Sequence, residues 1–179
     1  NNSYLHKNLS VKKISEDNFG FFSNENIPSD QKMISIPNKI FISRETFRNF
    51  LIGKSYDYFN KDLLKTYINF LPNLNYFKKN HFMFLSEEKR KIAYSFFNEN
   101  TPIQKKIKKT FDKFESLNEL EKYIDLVFRS RSFNIHNKQY LLPMLDIVNY
   151  EYDSEGLFID KEDVFFNTCK NLEKKEQFL

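Results

Sequence analysis

The chain has 179 residues, enough for one domain with a sizeable core or for one domain carrying a helical insert. Its 28 Lys and Arg against 24 Asp and Glu leave a mild, dispersed positive charge, and 21 Phe with 10 Tyr exclude a disordered, aromatic-poor tail. One cysteine, Cys169, excludes an internal disulfide framework and a CxxC zinc cluster, and His6, His81 and His136 fit no metal spacing, so no metal ligand is expected.

In chain order, residues 1 to 43 read as short strands and turns. Met33-Ile34-Ser35-Ile36 and Lys39-Ile40-Phe41-Ile42 are apolar and β-branched, with Pro37-Asn38 as punctuation between them. Gly20, between Phe19 and Phe21, suits a bend or a close backbone approach. The middle of the chain, residues 44 to 129, reads as helical. Asn60 precedes a segment with Leu63, Leu64, Tyr67, Ile68 and Leu71 on one face, and Pro72 ends it. Ser86-Glu87-Glu88 supplies a cap and acids for the next helix. Thr101-Pro102-Ile103-Gln104 combines a capping box with Pro at the first helical position, and the apolar face that follows is Ile103, Ile107, Phe111 and Phe114. Ser116-Leu117-Asn118-Glu119 reads as a second capping box with Ser116 as the cap, ahead of Leu120, Tyr123, Ile124, Val127 and Phe128 facing inward.

From residue 130 to 179 short extended pieces return, at Gln139 to Met144, Gly156 to Ile159 and Asp163 to Thr168. Strands, then helices, then strands describe an α+β fold: a β domain of short strands interrupted by a mostly helical insertion. No apolar run approaches ~18 residues, the length of a membrane-spanning helix, so no membrane partner is expected. No signal peptide is visible, and the chain opens Asn-Asn rather than Met, which leaves room for a leader upstream; the compartment stays open, with an intracellular location, cytoplasm or nucleus, as the expectation.

Three ordered stretches carry a resemblance. The first is Asp17-Asn18-Phe19-Gly20-Phe21-Phe22, followed by Ile27-Pro28 and Met33-Ile34-Ser35-Ile36-Pro37. The second is Tyr67-Ile68-Asn69-Phe70-Leu71-Pro72, followed by Phe84-Leu85-Ser86-Glu87-Glu88. The third and most specific is Ser130-Arg131-Ser132-Phe133, followed by Leu142-Pro143-Met144-Leu145-Asp146-Ile147-Val148-Asn149-Tyr150. Together they resemble SET-domain protein methyltransferases of the Rubisco large-subunit methyltransferase and actin-histidine methyltransferase type, whose third motif runs "S-R-x-F … L-v-P-x-x-D-x-x-N-H". Two positions depart from the family: Asn18 stands at its first glycine, and Tyr150 at the histidine after its asparagine.

The resemblance implies a SET-type fold, S-adenosyl-L-methionine as cofactor, and methyl transfer to a lysine or histidine nitrogen of a protein substrate. It implies cofactor-binding roles for Asp17, Phe19, Ser130, Arg131, Asp146, Asn149 and Tyr150. The residue chemistry is compatible. Arg131 offers a planar fork for a carboxylate, although an arginine ending a helix also serves the dipole without any ligand. Asn149 offers a donor and an acceptor, and is equally at home in a turn. Asp146 suits either the cofactor or a cap. Tyr150 suits adenine or the core. Asp17 and Phe19 flank the first turn, and Ser130 is an adjacent polar group at a helix end.

Lys170 to Leu179 resembles the approach to the family's "S/N-Y-G" motif, whose tyrosine lines the methyl-transfer channel. The sequence stops before that motif and before the family's substrate-binding helical domain, so no catalytic residue is named. The alternative reading is a catalytically inactive SET-like module for protein interaction. A nucleic-acid partner is disfavoured, because Lys105-Lys106-Ile107-Lys108-Lys109 fits the solvated face of an amphipathic helix. A monomer is expected.

Overall fold

A computed structural model describes residues 3–15, 18–96, 101–143, 145, 157–160, 163–167, 173 and 177–178. The chain divides into two compact units, Asn1–Tyr67 with Arg131–Leu179, and Ile68–Ser130.

The first unit holds the strands. They are β1 Tyr4–Leu5, β2 Leu9–Ser15, β3 Asn18–Ser23, β4 Lys32–Pro37, β5 Ile42–Ser43, β6 Ser132–Ile135, β7 Lys138–Leu141, β8 Leu157–Asp160, β9 Asp163–Asn167 and β10 Gln177–Phe178. Among the described residues they form three small sheets, ordered β1-β4-β9-β8, β10-β3-β2 and β5-β7-β6, with antiparallel pairings. Helix α1, Arg44–Leu51, starts on a Ser43 cap whose hydroxyl accepts from Thr46 N–H at 3.0 Å. The core of this unit joins Leu9, Phe21, Ile27, Met33, Ile34, Ile36, Ile40, Ile135, Leu142, Leu145 and Val164. Each sheet contributes to it, and β4 is buried from Met33 through Pro37, on both of its faces rather than on alternate residues. Tyr58 packs against this core and donates from its hydroxyl to Ile40 O at 2.7 Å, and burial pushes its phenol pKa up.

Two strand expectations are corrected. Lys39 to Ile42 is not one strand: Asn38–Ile40 forms a 3-10 turn closed by Phe41 N–H to Asn38 O at 3.0 Å, and only Ile42–Ser43 is extended. The polar turn former Asn38 after Pro37 outweighs the β preference of the two isoleucines. β7 ends at Leu141, and Leu145 N–H reaches Leu142 O at 3.0 Å, so the expected extended piece stops short, with Met144 outside the described residues. Gly20 takes an interior ladder position opposite Lys12.

The helices after α1 are α2 Lys61–Phe70, α3 Leu74–Asn80, α4 Glu87–Ser95, α5 Pro102–Glu115 and α6 Glu119–Arg131. Most of their start signals act as their chemistry requires. Asn60 Oδ1 accepts from Leu63 N–H at 2.9 Å, and Thr101 Oγ1 from Gln104 N–H at 3.2 Å. On α2, Leu64, Tyr67 and Ile68 are buried, as is Leu71 just beyond it. The cap of α6 is a correction: Asn118, not Ser116, accepts through Oδ1 from Glu121 N–H at 2.9 Å. Ser116 belongs to the end of α5, where its hydroxyl donates to Lys113 O at 2.8 Å. On α5, Phe111 and Phe114 are buried and Ile103 is 58% exposed, so the apolar face begins later than its sequence pattern.

The helical unit is tied together by rings. Phe77 meets Tyr123, Phe82 meets Phe111 edge-on and Phe84 meets Phe114 edge-on, with centroids 6.3, 5.9 and 5.4 Å apart. Ile124, Leu126, Val127 and Phe128 of α6 are fully buried. Among the described residues no helix is long and apolar enough to cross a membrane.

Candidate functional site

The third motif stretch begins where α6 ends. Helix α6 runs to Arg131 and β6 starts at Ser132, with no intervening loop. β6 and β7 then form a hairpin whose register pairs Ser132 with Leu141 and Ile135 with Lys138. Its two turn residues, His136 and Asn137, both have positive φ, 49° and 62°, the geometry that matches the twist of a two-residue hairpin. Because the pairing is antiparallel, the residue before β6 and the residue after β7 lie at the same end of the hairpin. Arg131 and Leu142 therefore flank one end, and the run that leads to Asp146, Asn149 and Tyr150 leaves from there.

Leu142 and Leu145 anchor the start of that run in the strand core, together with Phe21 from the first motif stretch. The apolar residues of two widely separated motifs thus share one core. Phe19 lies in β3 opposite Lys13, two residues before the buried Phe21. Asp17, Asp146, Asn149 and Tyr150 lie outside the described residues.

Arg131 is half-buried and is itself held by interactions within the chain. It closes α6, where the helix dipole favours a cation. Ser130 is exposed, and its hydroxyl donates back into its own helix, to Leu126 O at 2.8 Å and more loosely to Val127 O at 3.3 Å. Its donor is therefore spent locally, while its oxygen keeps acceptor capacity.

No protein-family description matches the sequence, and no curated protein matches it. Solved structures do match in shape. One is the SET domain of LSMT bound to lysine and AdoHcy, at a TM-score of 0.62 and 11% identity, covering 96% of this chain and 48% of that one. Another is the same domain bound to methyl-lysine and AdoHcy, at a TM-score of 0.59 and 13% identity, covering 98% of this chain and 49% of that one. A third is Rubisco LSMT bound to AdoMet, at a TM-score of 0.55 and 12% identity, covering 96% of this chain and 47% of that one. The chain has the α+β fold of a SET domain. It spans about half the length of the structures it matches.

Sequence reasoning missed β6 and, with it, the hairpin. The available signal was His136-Asn137 between Ser132-Phe133-Asn134-Ile135 and Lys138-Gln139-Tyr140-Leu141, since Asn and His tolerate positive φ better than most residues. Without the hairpin, Arg131 and the 142–150 run are neighbours only along the motif. With it, the ladder register sets Arg131 at the hairpin end where Leu142 begins that run.

Proposed function

We propose that this chain is the S-adenosylmethionine-binding body of a protein methyltransferase, acting on a lysine side-chain nitrogen, with histidine as the other acceptor chemistry. The observation that carries the reading is the β6–β7 register, which sets Arg131 and the origin of the 142–150 run at one hairpin end of a SET-type fold. SET-domain structures of the same shape hold AdoHcy or AdoMet, which supports the choice of cofactor.

The donor set fits such a ligand. An amino-acid carboxylate calls for a cation with paired donors, which the guanidinium of the half-buried Arg131 would offer. An ammonium calls for acceptors, which the Ser130 oxygen and the carboxylates of Asp17 and Asp146 would supply. Asn149 would meet the cofactor's amino-acid end, the Phe19 backbone would face the cofactor, and Tyr150 would pack against the adenine. S-adenosylmethionine supplies an electrophilic methyl carbon on a sulfonium. The chain contributes positioning and exclusion of water. A lysine acceptor must lose its proton before it can attack, so the site has to hold that amine neutral, which desolvation favours.

Titration of the chain with S-adenosylmethionine by calorimetry tests the reading. Saturable binding is expected, and Arg131→Ala should weaken it by about 1.5–3 kcal/mol, the worth of a charge-assisted hydrogen bond. Arg131→Lys should recover only part of the loss, because an ammonium cannot reproduce the paired fork. A folded chain that binds no S-adenosylmethionine overturns the proposal; unchanged affinity in Arg131→Ala removes Arg131 from the site.

A further inference from the structure

The helical unit carries a groove of its own. The end of α3, the 3-10 turn Phe82–Phe84 and the start of α4 enclose about 470 Å³. Lys78, Lys79 and Lys89 line it with His81, Phe82 and Ser86, and none of its lining residues is acidic. The three lysines are exposed.

Its floor is fixed. His81 Nδ1 accepts from Met83 N–H at 3.2 Å, so a neutral ring must carry its proton on Nε2. The Phe82 ring stacks on His81 at 4.7 Å and meets Phe111 edge-on at 5.9 Å, yet Phe82 remains 54% exposed. The groove thus offers an oriented aromatic platform beside a lysine rim.

The charges select a class of partner. Lys78 already shares its charge with Glu119 at 2.5 Å, which leaves Lys79 and Lys89 as the stronger field toward a ligand. No arginine lines the groove, so nothing matches the paired geometry with which a phosphate is usually gripped. Glu87 and Glu88 occupy the first turn of α4, where a phosphate would otherwise find the helix dipole. Single carboxylates spaced along a chain fit lysine point charges better. We propose that this groove binds a short acidic peptide segment of a protein partner, with Lys79 and Lys89 receiving carboxylates and Phe82 an apolar side chain.

The test is fluorescence anisotropy on the full chain with a short labelled peptide of Glu residues flanking a Leu. Saturable binding that weakens with added salt is expected. The same peptide with Gln for Glu should bind weaker by roughly five- to tenfold, and so should the Lys79→Glu/Lys89→Glu double variant. Circular dichroism should show that variant folded, since both side chains are exposed. A matched charge reversal on α5, Lys105→Glu/Lys106→Glu, should leave binding unchanged, which separates the groove from overall charge. Equal binding of the Gln peptide, or of the Lys79/Lys89 variant, overturns the proposal. So does the absence of peptide binding with a single-stranded oligonucleotide held through the same two lysines, which would make the groove a nucleic-acid surface. The S-adenosylmethionine titration is read separately, so either proposal can fail alone.

Discussion

The cap of α6 offers a direct test of how the helix that ends at Arg131 begins. Two residues compete for the role in the sequence, Ser116 and Asn118. In the structure Asn118 Oδ1 accepts from Glu121 N–H at 2.9 Å, and Asn118 O accepts from Lys122 N–H at 2.9 Å. Replacing Asn118 with Ala removes the side-chain acceptor and leaves a first-turn N–H to water. Such a loss costs about 1 kcal/mol, within a range of roughly 0.5–2. The site is exposed, so water recovers part of the bond and the middle of that range applies. In a chain of this size about 1 kcal/mol lowers Tm by roughly 2–4 °C. Asn118→Asp should hold stability within about 0.5 kcal/mol of the parent, since the carboxylate caps well but sits beside Glu119 and Glu121. Ser116→Ala deletes only an exposed hydroxyl bonded to Lys113 O and should also stay within about 0.5 kcal/mol. Thermal and urea unfolding followed by far-ultraviolet circular dichroism measure all three. A Ser116→Ala loss equal to or greater than that of Asn118→Ala would refute the assignment.

Protonation of His81 should weaken the helical unit. Burial lowers its pKa from 6.5, the Arg129 guanidinium lowers it further, and the Asp125 carboxylate partly opposes both. A depressed pKa means the unfolded chain binds the proton more tightly than the folded one. The contribution is therefore present above pH 6.5 and lost as pH falls through 6.5 toward the folded value. His81→Asn, which keeps an acceptor at the turn but does not titrate, should flatten the Tm against pH profile between about pH 7 and 5; an unchanged slope would clear His81. On α5, Phe111→Ala should cost about 3–5 kcal/mol, whereas Ile103→Lys should stay within about 0.5 kcal/mol because Ile103 faces solvent. Comparable losses in the two, read by urea unfolding, would mean that α5 buries a different face.

The motif residues themselves were legible, but the core that their apolar members share was not. Thr101 and Asn60 could be read as caps because capping is local, settled within a single turn of backbone. Ser116 could not be told from Asn118 that way, since both spacings are acceptable and the choice depends on where α5 stops. Ile103 fitted the helical apolar period, yet position along a helix does not say which of its turns has a neighbour to bury against. The pull of Asn38 into a 3-10 turn likewise overrode a run of β-preferring residues.

For this protein the sequence alone determined the α+β order of strands, helices and strands, most helix starts, and the Ser130-Arg131 pair at the end of α6. Hydrophobic period and capping chemistry act over a few residues, so they are written in the chain. Only the tertiary structure decided that Phe21, Leu142 and Leu145 share one core, and that the β6–β7 register leaves Arg131 and Leu142 at one end of the hairpin. Register and core membership come from contacts between residues far apart in sequence, and one residue of slip would reverse every side chain on a strand. That is why candidate residues could be named from sequence, while the hairpin end shared by Arg131 and Leu142 had to be seen.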